Sequence, residues 1–345
     1  LLSEKLQNEI QEKYKIGDIN RVTRLAGGYW NTVLRLETNI NDYVLRISHP
    51  TTNIERLNYE HQLVKLIHAH VKEVPLPICS ESGTTFISYK HKLITLFPFI
   101  EGHLAEPNHD SARKNAAKML AKLHLVSLQY PDFPQKPGHQ SINNLNWNLN
   151  HMWDWTFLAQ FFFANNEGIE NKLNSISSKL EEDCIKEINR QKKLIKAEKE
   201  EIQEWVNDVK QDGQFLISGV IHGDFYAGNI LTKSNGEITA VIDWDECCRE
   251  WFIYELARTI WEFCQDSNEN KLDVSKANSF IQDYKLAGGP VPEREFYLII
   301  PFIRYVRLIE ILFYIQQGLK GQEWDPEYTL HNLKALINLK AQTIL

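Results

Sequence analysis

His222-Gly223-Asp224-Phe225-Tyr226-Ala227-Gly228-Asn229-Ile230-Leu231, followed across Asn235-Gly236 by Ala240-Val241-Ile242-Asp243-Trp244-Asp245-Glu246, is the stretch from which this 345-residue chain is best read. Asn-Gly is a strong hairpin signal, because both residue types tolerate the positive φ that a two-residue turn requires. The runs on either side, Asn229 to Leu231 and Ile238 to Ile242, are apolar and β-branched, as strands prefer. Counting outward from the turn sets Asn229 opposite Ile242, one residue from Asp243. A carboxamide and a carboxylate then stand side by side at the open end of the hairpin, roughly 5 Å apart if the register holds. Two hard oxygen ligands placed so suit magnesium, which takes few ligands from protein and the rest from water and phosphate. Asp224 lies on the loop that feeds the hairpin, positioned to accept a proton from an incoming hydroxyl.

Asp-x-x-x-x-Asn followed by a metal-binding Asp is the catalytic pattern of protein kinases. Two departures are informative: Gly223 stands where protein kinases carry Arg, and Asp243-Trp244-Asp245 replaces Asp-Phe-Gly. In both respects the segment resembles the aminoglycoside phosphotransferase family of small-molecule kinases, which includes type II homoserine kinases, choline kinases and macrolide kinases. The resemblance implies that Asp224 is the catalytic base or hydroxyl-orienting residue, that Asn229 and Asp243 hold Mg2+, that ATP is the phosphoryl donor, and that His222 buttresses the loop.

Composition bounds the alternatives. A chain of this length, 43% hydrophobic, has room for two cored lobes. The net charge of −7 and the absence of an extended basic block argue against nucleic acid or an anionic membrane as the main partner. Five cysteines without a Cys-x-x-Cys pair indicate neither a zinc site nor a disulfide framework, and a reducing cytoplasm is the simplest inference. The N-terminal Leu1 to Tyr14 is amphipathic and charged throughout, unlike a signal peptide, and the longest apolar run, Phe296 to Ile303, is far too short to span a bilayer.

Upstream, Ile19 to Leu25 and Thr32 to Glu37 read as strands around Ala26-Gly27-Gly28-Tyr29-Trp30-Asn31. Gly27 and Gly28 let backbone approach a phosphate closely, although a plain hairpin turn fits the same letters. The next strand, Tyr43 to Ile47, alternates so that Tyr43, Leu45 and Ile47 face one way and Val44 and Arg46 the other. In a kinase-like arrangement Arg46 takes the place of the phosphate-binding Lys. The helix from about Asn53 to His70 carries Leu57, Glu60, Val64 and Ile67 on one stripe, so Glu60 lies among apolar residues and needs a partner unless it reaches water at the boundary. The resemblance supplies Arg46 as that partner. Leu93 to Gly102 reads either as an edge strand or as an interlobe hinge whose Phe97, Phe99 and Ile100 border an adenine.

Downstream, Ser111 to Ser127 is expected as a helix with His124 packed in its core, and Pro131 to Asn150 as a loop. Helices are expected at about His151 to Asn165 and Ile169 to Val209, the first bearing much of an aromatic cluster (Trp147, Trp153, Trp155, Phe157, Phe161 to Phe163), the second highly charged and solvated. Glu255 stands where the family usually has an Asp heading a helix. In the last helices Arg304 and Arg307 flank an apolar face, available either to a substrate carboxylate or, for Arg307, to a local ion pair with Glu310. Asp245 is a further candidate for substrate contact.

The expected fold is α+β, bilobal and protein kinase-like: a nucleotide lobe over 1–100, with a five-stranded antiparallel sheet, and a mainly helical catalytic lobe over 101–345 with an insertion at about 140–215. The expected activity is transfer of the γ-phosphoryl group to a small-molecule hydroxyl. The C-terminal layout resembles homoserine kinase-like proteins, which favours homoserine or an amino alcohol, with antibiotic acceptors next. A nucleotide-binding regulator without turnover is the reading from another class, prompted by Arg46 and Glu255. A metal hydrolase built on His222 and Asp224 lacks further His ligands at workable spacing. Oligomeric state is not legible.

Overall fold

A computed structural model describes residues 2–25, 31–139, 141–142, 178–212, 216–266, 268–320 and 324–343. Its contacts divide the chain into two compact units, 1–139 with 219–249 and 286–289, and 140–218 with 250–285 and 290–345.

The first unit begins with helix α1 (Glu4–Tyr14), capped by the Ser3 side chain, which accepts from the Leu6 N–H. Strands β1 (Ile19–Arg24), β2 (Thr32–Thr38), β3 (Asp42–Ile47), β4 (Ile87–Tyr89) and β5 (Lys92–Pro98) form an antiparallel sheet in the order β1-β2-β3-β5-β4. Period-two alternation divides β3 as expected. Leu45 is buried with Leu34, Leu36 and Leu96 against Leu6, Ile10 and Tyr14 of α1, with Tyr43 and Ile47 packed at the edge. Each such aliphatic side chain removed from water contributes about 1.5–3 kcal/mol. Arg46 is thereby sent to the opposite side, in register with Val33 and Thr95 on the neighbouring strands.

Helix α2 (Ile54–His70) starts at Asn53, whose side chain caps the Arg56 N–H. Its buried stripe includes Leu57, Glu60, Val64 and Ile67, so the carboxylate does sit among apolar side chains. Short strand β6 (His103–Leu104) follows, then α3 (Asp110–Ser127), where His124 is fully buried, as expected of a core histidine.

Strand β7 (Ser218–Ile221) leads into the loop that carries Asp224, and β8 (Ile230–Thr232) and β9 (Ile238–Val241) form the hairpin, with β6 paired to β8. The turn differs from the two-residue form. Gly236 N–H donates to Lys233 O, Lys233 N–H donates to Glu237 O, and Gly236 has φ +81, so the connection is longer, with glycine in the left-handed position. An irregularity in register compensates: the pairing shifts from Thr232 with Ile238 to Leu231 with Ala240 and Ile230 with Val241. At the open end the pairing is therefore the one counted from the sequence, and Ile242 N–H donates to Asn229 O at 2.9 Å.

The second unit is helical: α4 (Lys179–Asp212), α5 (Phe252–Cys264), α6 (Val274–Leu286), α7 (Ile299–Leu319) and α8 (Pro326–Leu339). Pro301 lies in the first turn of α7, where its missing N–H costs no intrahelical bond. Helix α4 is not simply solvated. Glu198 is fully buried and accepts from Arg304 of α7 and, at 2.6 Å, from Lys340 beyond α8, because its position on the helix faces the packed side. The aromatic cluster from Trp147 to Phe163 and the helix expected at 151–165 lie outside the described residues.

Candidate active site

The loop before the hairpin is fixed by its histidine. His222 is buried; its Nε2 donates to Ile242 O at 3.0 Å, and its Nδ1 accepts the Asp224 N–H at 3.2 Å. These two bonds select the neutral Nε2–H tautomer. Trp244 packs on the ring at 4.5 Å between centroids, and its own Nε1–H goes to Val241 O. Gly223 has φ +85, and a Cβ there would lie 2.2 Å from Glu246 O. Only glycine fits this approach, which explains the departure from the Arg of protein kinases.

Asn229, at the end of the short 3-10 turn Ala227–Asn229, is buried and turns its amide nitrogen to Asp224, with Nδ2 at 2.9 Å from the backbone carbonyl and 3.0 Å from Oδ2. The donors are thus committed and Oδ1 is left as the acceptor. Asp243 has φ 62, a left-handed conformation in a residue other than glycine. Such strain persists only where neighbours impose it. Its Oδ1 is buried without a hydrogen-bond partner and lies 3.7 Å from Arg46 Nη1. Burial, then the adjacent Asp245 carboxylate, push the Asp243 carboxyl up to about 7, with Arg46 opposing and Glu60 and Asp224 adding to the rise. An orphaned carboxylate oxygen and an oriented carboxamide oxygen, on residues that the Ile242–Asn229 backbone bond brings to one end of the hairpin, are donors of the hard type that suits Mg2+.

Arg46 and Glu60 meet as the alternation of β3 and the stripe of α2 require. Arg46 Nη2 donates to Glu60 Oε1 at 2.6 Å, both side chains buried. Burial works against the Arg46 cation, but the Glu60, Asp245 and Asp243 carboxylates outweigh it and raise its pKa above the ordinary value. Its Nε has no hydrogen-bond partner. Phe97 lies beneath the guanidinium, 5.5 Å from Cζ to the ring centroid, and is half-buried, as are Phe99 and Ile100. The Phe99 ring is covered by Arg35, 4.2 Å from Cζ to the centroid.

Two contributors were not singled out in the sequence. Asn31 donates from Nδ2 to Asp245 Oδ2 at 2.9 Å and accepts the His49 N–H at 3.0 Å, tying the start of β2 and the end of β3 to the segment after Asp243. The signal was its place directly after the glycine-containing turn. Lys136, from the loop after α3, donates to Asp245 O and lies 3.6 Å from Glu246. A single Lys in a proline-rich loop has no periodicity from which its direction can be read.

Gly27 and Gly28 are outside the described residues. Within the second unit, Arg304 is bound to Glu198 and Glu201, and Arg307 is buried, donating to Asn332 at 2.9 Å, 3.8 Å from Glu262 and over the Trp261 ring. Glu255 is buried in the first turn of α5.

A sequence profile of the phosphotransferase enzyme family (APH) matches residues 21–295, most of the chain and every residue of this cluster. The chain belongs to this family. It is accordingly a small-molecule kinase. Among relatives by sequence, a homoserine kinase of Caulobacter sp. (strain K31) is 23% identical over 272 residues, covering 79% of this chain and 73% of the relative. One from Neisseria meningitidis serogroup B is 23% identical over 273 residues, with 79% and 75% covered. Among solved structures, spectinomycin phosphotransferase in complex with ADP and spectinomycin superposes with a TM-score of 0.65 at 17% identity, covering 98% of this chain and 94% of that one. The microcompartment-associated aminopropanol kinase gives 0.60 at 15% identity, with 98% and 97% covered. These likenesses establish the bilobal α+β, kinase-like fold. Among the described residues no helix is long and apolar enough to cross a membrane.

Proposed function

We propose that this kinase transfers the γ-phosphoryl group of ATP to the hydroxyl of homoserine or a similar small amino alcohol, in the cytoplasm where ATP is available. The observation that carries the chemical part is the Asn229 amide held on Asp224 at 2.9 and 3.0 Å, together with a buried Asp243 oxygen without a hydrogen-bond partner. In this reading Asp224 orients the acceptor hydroxyl and takes its proton as the oxygen attacks. Arg46, held by Glu60, meets the phosphates of the nucleotide, with Gly27 and Gly28 covering them and Phe97, Phe99 and Ile100 bordering the adenine. Asn229 and Asp243 would hold Mg2+, which supplies charge neutralisation of the phosphates. Catalysis then rests mainly on positioning and electrostatics.

The acceptor is inferred from relatives: homoserine kinases by sequence, and aminopropanol and choline kinases by fold. Kinases of spectinomycin and amicoumacin share the same fold, so antibiotics form the second arm of the test. The experiment is incubation with ATP and Mg2+ and a panel of homoserine, aminopropanol, choline, spectinomycin and an aminoglycoside, read by mass for gain of one phosphoryl group. Phosphorylated homoserine or amino alcohol supports the assignment. Transfer to the antibiotics alone moves the acceptor to that class, and no transfer to any hydroxyl contradicts the proposal.

A further inference from the structure

We propose that Lys136 is a positioning residue for the metal-binding segment, holding the backbone that follows the left-handed Asp243 in place by clamping the Asp245 carbonyl. The inference rests on the assignment of Asp243 as a metal ligand and adds a residue outside the sequence pattern that defines that ligand.

Lys136 is almost fully buried, its side chain 4% exposed. Burying a Lys is costly unless its ammonium is satisfied, so its position indicates a fixed role for the head group. Nζ donates to Asp245 O and stands 3.6 Å from Glu246 Oε2. The loop that presents it is anchored on both sides. Gln135 exchanges bonds with the Arg249 backbone, accepting N–H at 2.9 Å and donating to O at 2.9 Å, and Arg56 of α2 donates to Pro137 O at 3.0 Å. The stem therefore cannot drift without breaking contacts at Arg249 and Arg56.

What the clamp holds is otherwise under strain. Asp243 occupies φ 62 and presents a buried oxygen without a hydrogen-bond partner. Two residues on, Asp245 is gripped at both ends, its carboxylate by Asn31 and its carbonyl by Lys136. Charge reinforces the arrangement. Glu60, Asp243 and Asp245 crowd one side of the unit, and Lys136 joins Arg46 as the second buried cation acting on Glu60. Releasing the carbonyl lets Asp245 rotate and the Asp243 carboxylate leave its position 3.7 Å from Arg46, at the open end of the hairpin that carries Asn229, so metal affinity is the property that should suffer.

The test is a Mg2+ titration of AMP-PNP binding to the full chain, followed by calorimetry, with AMP-PNP binding in the absence of metal as reference. Lys136→Met is expected to raise the Mg2+ concentration for half-maximal effect by about tenfold, the scale on which residues supporting metal ligands act. Metal-free nucleotide affinity should stay within about twofold, as should both properties of Glu246→Gln, which removes only the exposed ion-pair partner. Lys136→Arg, which keeps a donor of similar reach, should recover most of the loss. If Lys136→Met does not fold, Lys136→Gln, whose amide is too short to reach the carbonyl, carries the same expectation. An unchanged Mg2+ requirement in Lys136→Met or Lys136→Gln overturns the inference alone, as does an equal loss of metal-free binding. Wild-type protein that shows no Mg2+-dependent AMP-PNP binding overturns the parent assignment, and this one with it.

Discussion

Arg46 of β3 and Glu60 of α2 meet at 2.6 Å with both side chains buried, and Arg46 lies 3.7 Å from Asp243 by its other nitrogen. One guanidinium thus joins the sheet, the helix and the strained Asp after the hairpin. Removing one partner leaves a buried charge uncompensated, so Arg46→Met should lower unfolding stability by about 3 kcal/mol. The double variant Arg46→Met, Glu60→Leu should recover most of that stability while phosphoryl transfer stays lost. Denaturant unfolding and an ATP-consumption assay check the two halves separately; a double variant that regains transfer contradicts the role given to Arg46.

Gly223 is constrained twice, by φ +85 and by the 2.2 Å approach of Glu246 O to the place of a Cβ. Gly223→Ala is predicted to cost more than about 2 kcal/mol of stability, since the backbone itself must move. Chemical denaturation measures this, and a loss below about 0.5 kcal/mol argues against the observed loop conformation.

Arg304 was a candidate for binding an acceptor carboxylate, yet in the second unit it donates to the fully buried Glu198 and, at 2.9 Å, to Glu201. Arg304→Met should therefore destabilise by about 3 kcal/mol, with acceptor KM changed less than about twofold. A tenfold rise in acceptor KM with stability unchanged gives the opposite assignment.

Glu295, in the second unit, supplies a pH signature. It is 1% exposed, and burial pushes its carboxyl up to about 7, with a hydrogen bond to the Ile217 backbone and the charge of Arg294 offsetting only part of the rise. Because the folded pKa is the higher one, the folded state binds the extra proton. Its contribution is fully present below the unfolded pKa of about 4.3 and is lost as pH rises through about 7. Glu295→Gln should stabilise the protein by roughly 2 kcal/mol above neutrality and flatten the decline of stability between about pH 4.5 and 7, as read by thermal unfolding across pH.

The strand alternation, the stripe of α2 and the hairpin register could all be read in the sequence because each is a local period that a single buried face enforces. The register came out as counted although the turn did not, since the bulge near Thr239 offset the longer connection. Glu198 and Lys136 were illegible for the same physical reason. A charge in a long polar helix or a proline-rich loop is buried only by partners distant in sequence, Arg304 and Lys340 for one, Asp245 and Glu246 for the other. Asn31 likewise shows its purpose only once Asp245, remote in sequence, is beside it.

In the proposed function Asp224 handles the acceptor proton. Asp224→Asn keeps an oxygen for the Asn229 amide and alters little else, so AMP-PNP affinity with Mg2+ should remain within about threefold while transfer to the acceptor found in the panel falls by about a thousandfold. Turnover within about tenfold of wild type, with binding intact, would contradict that role for Asp224.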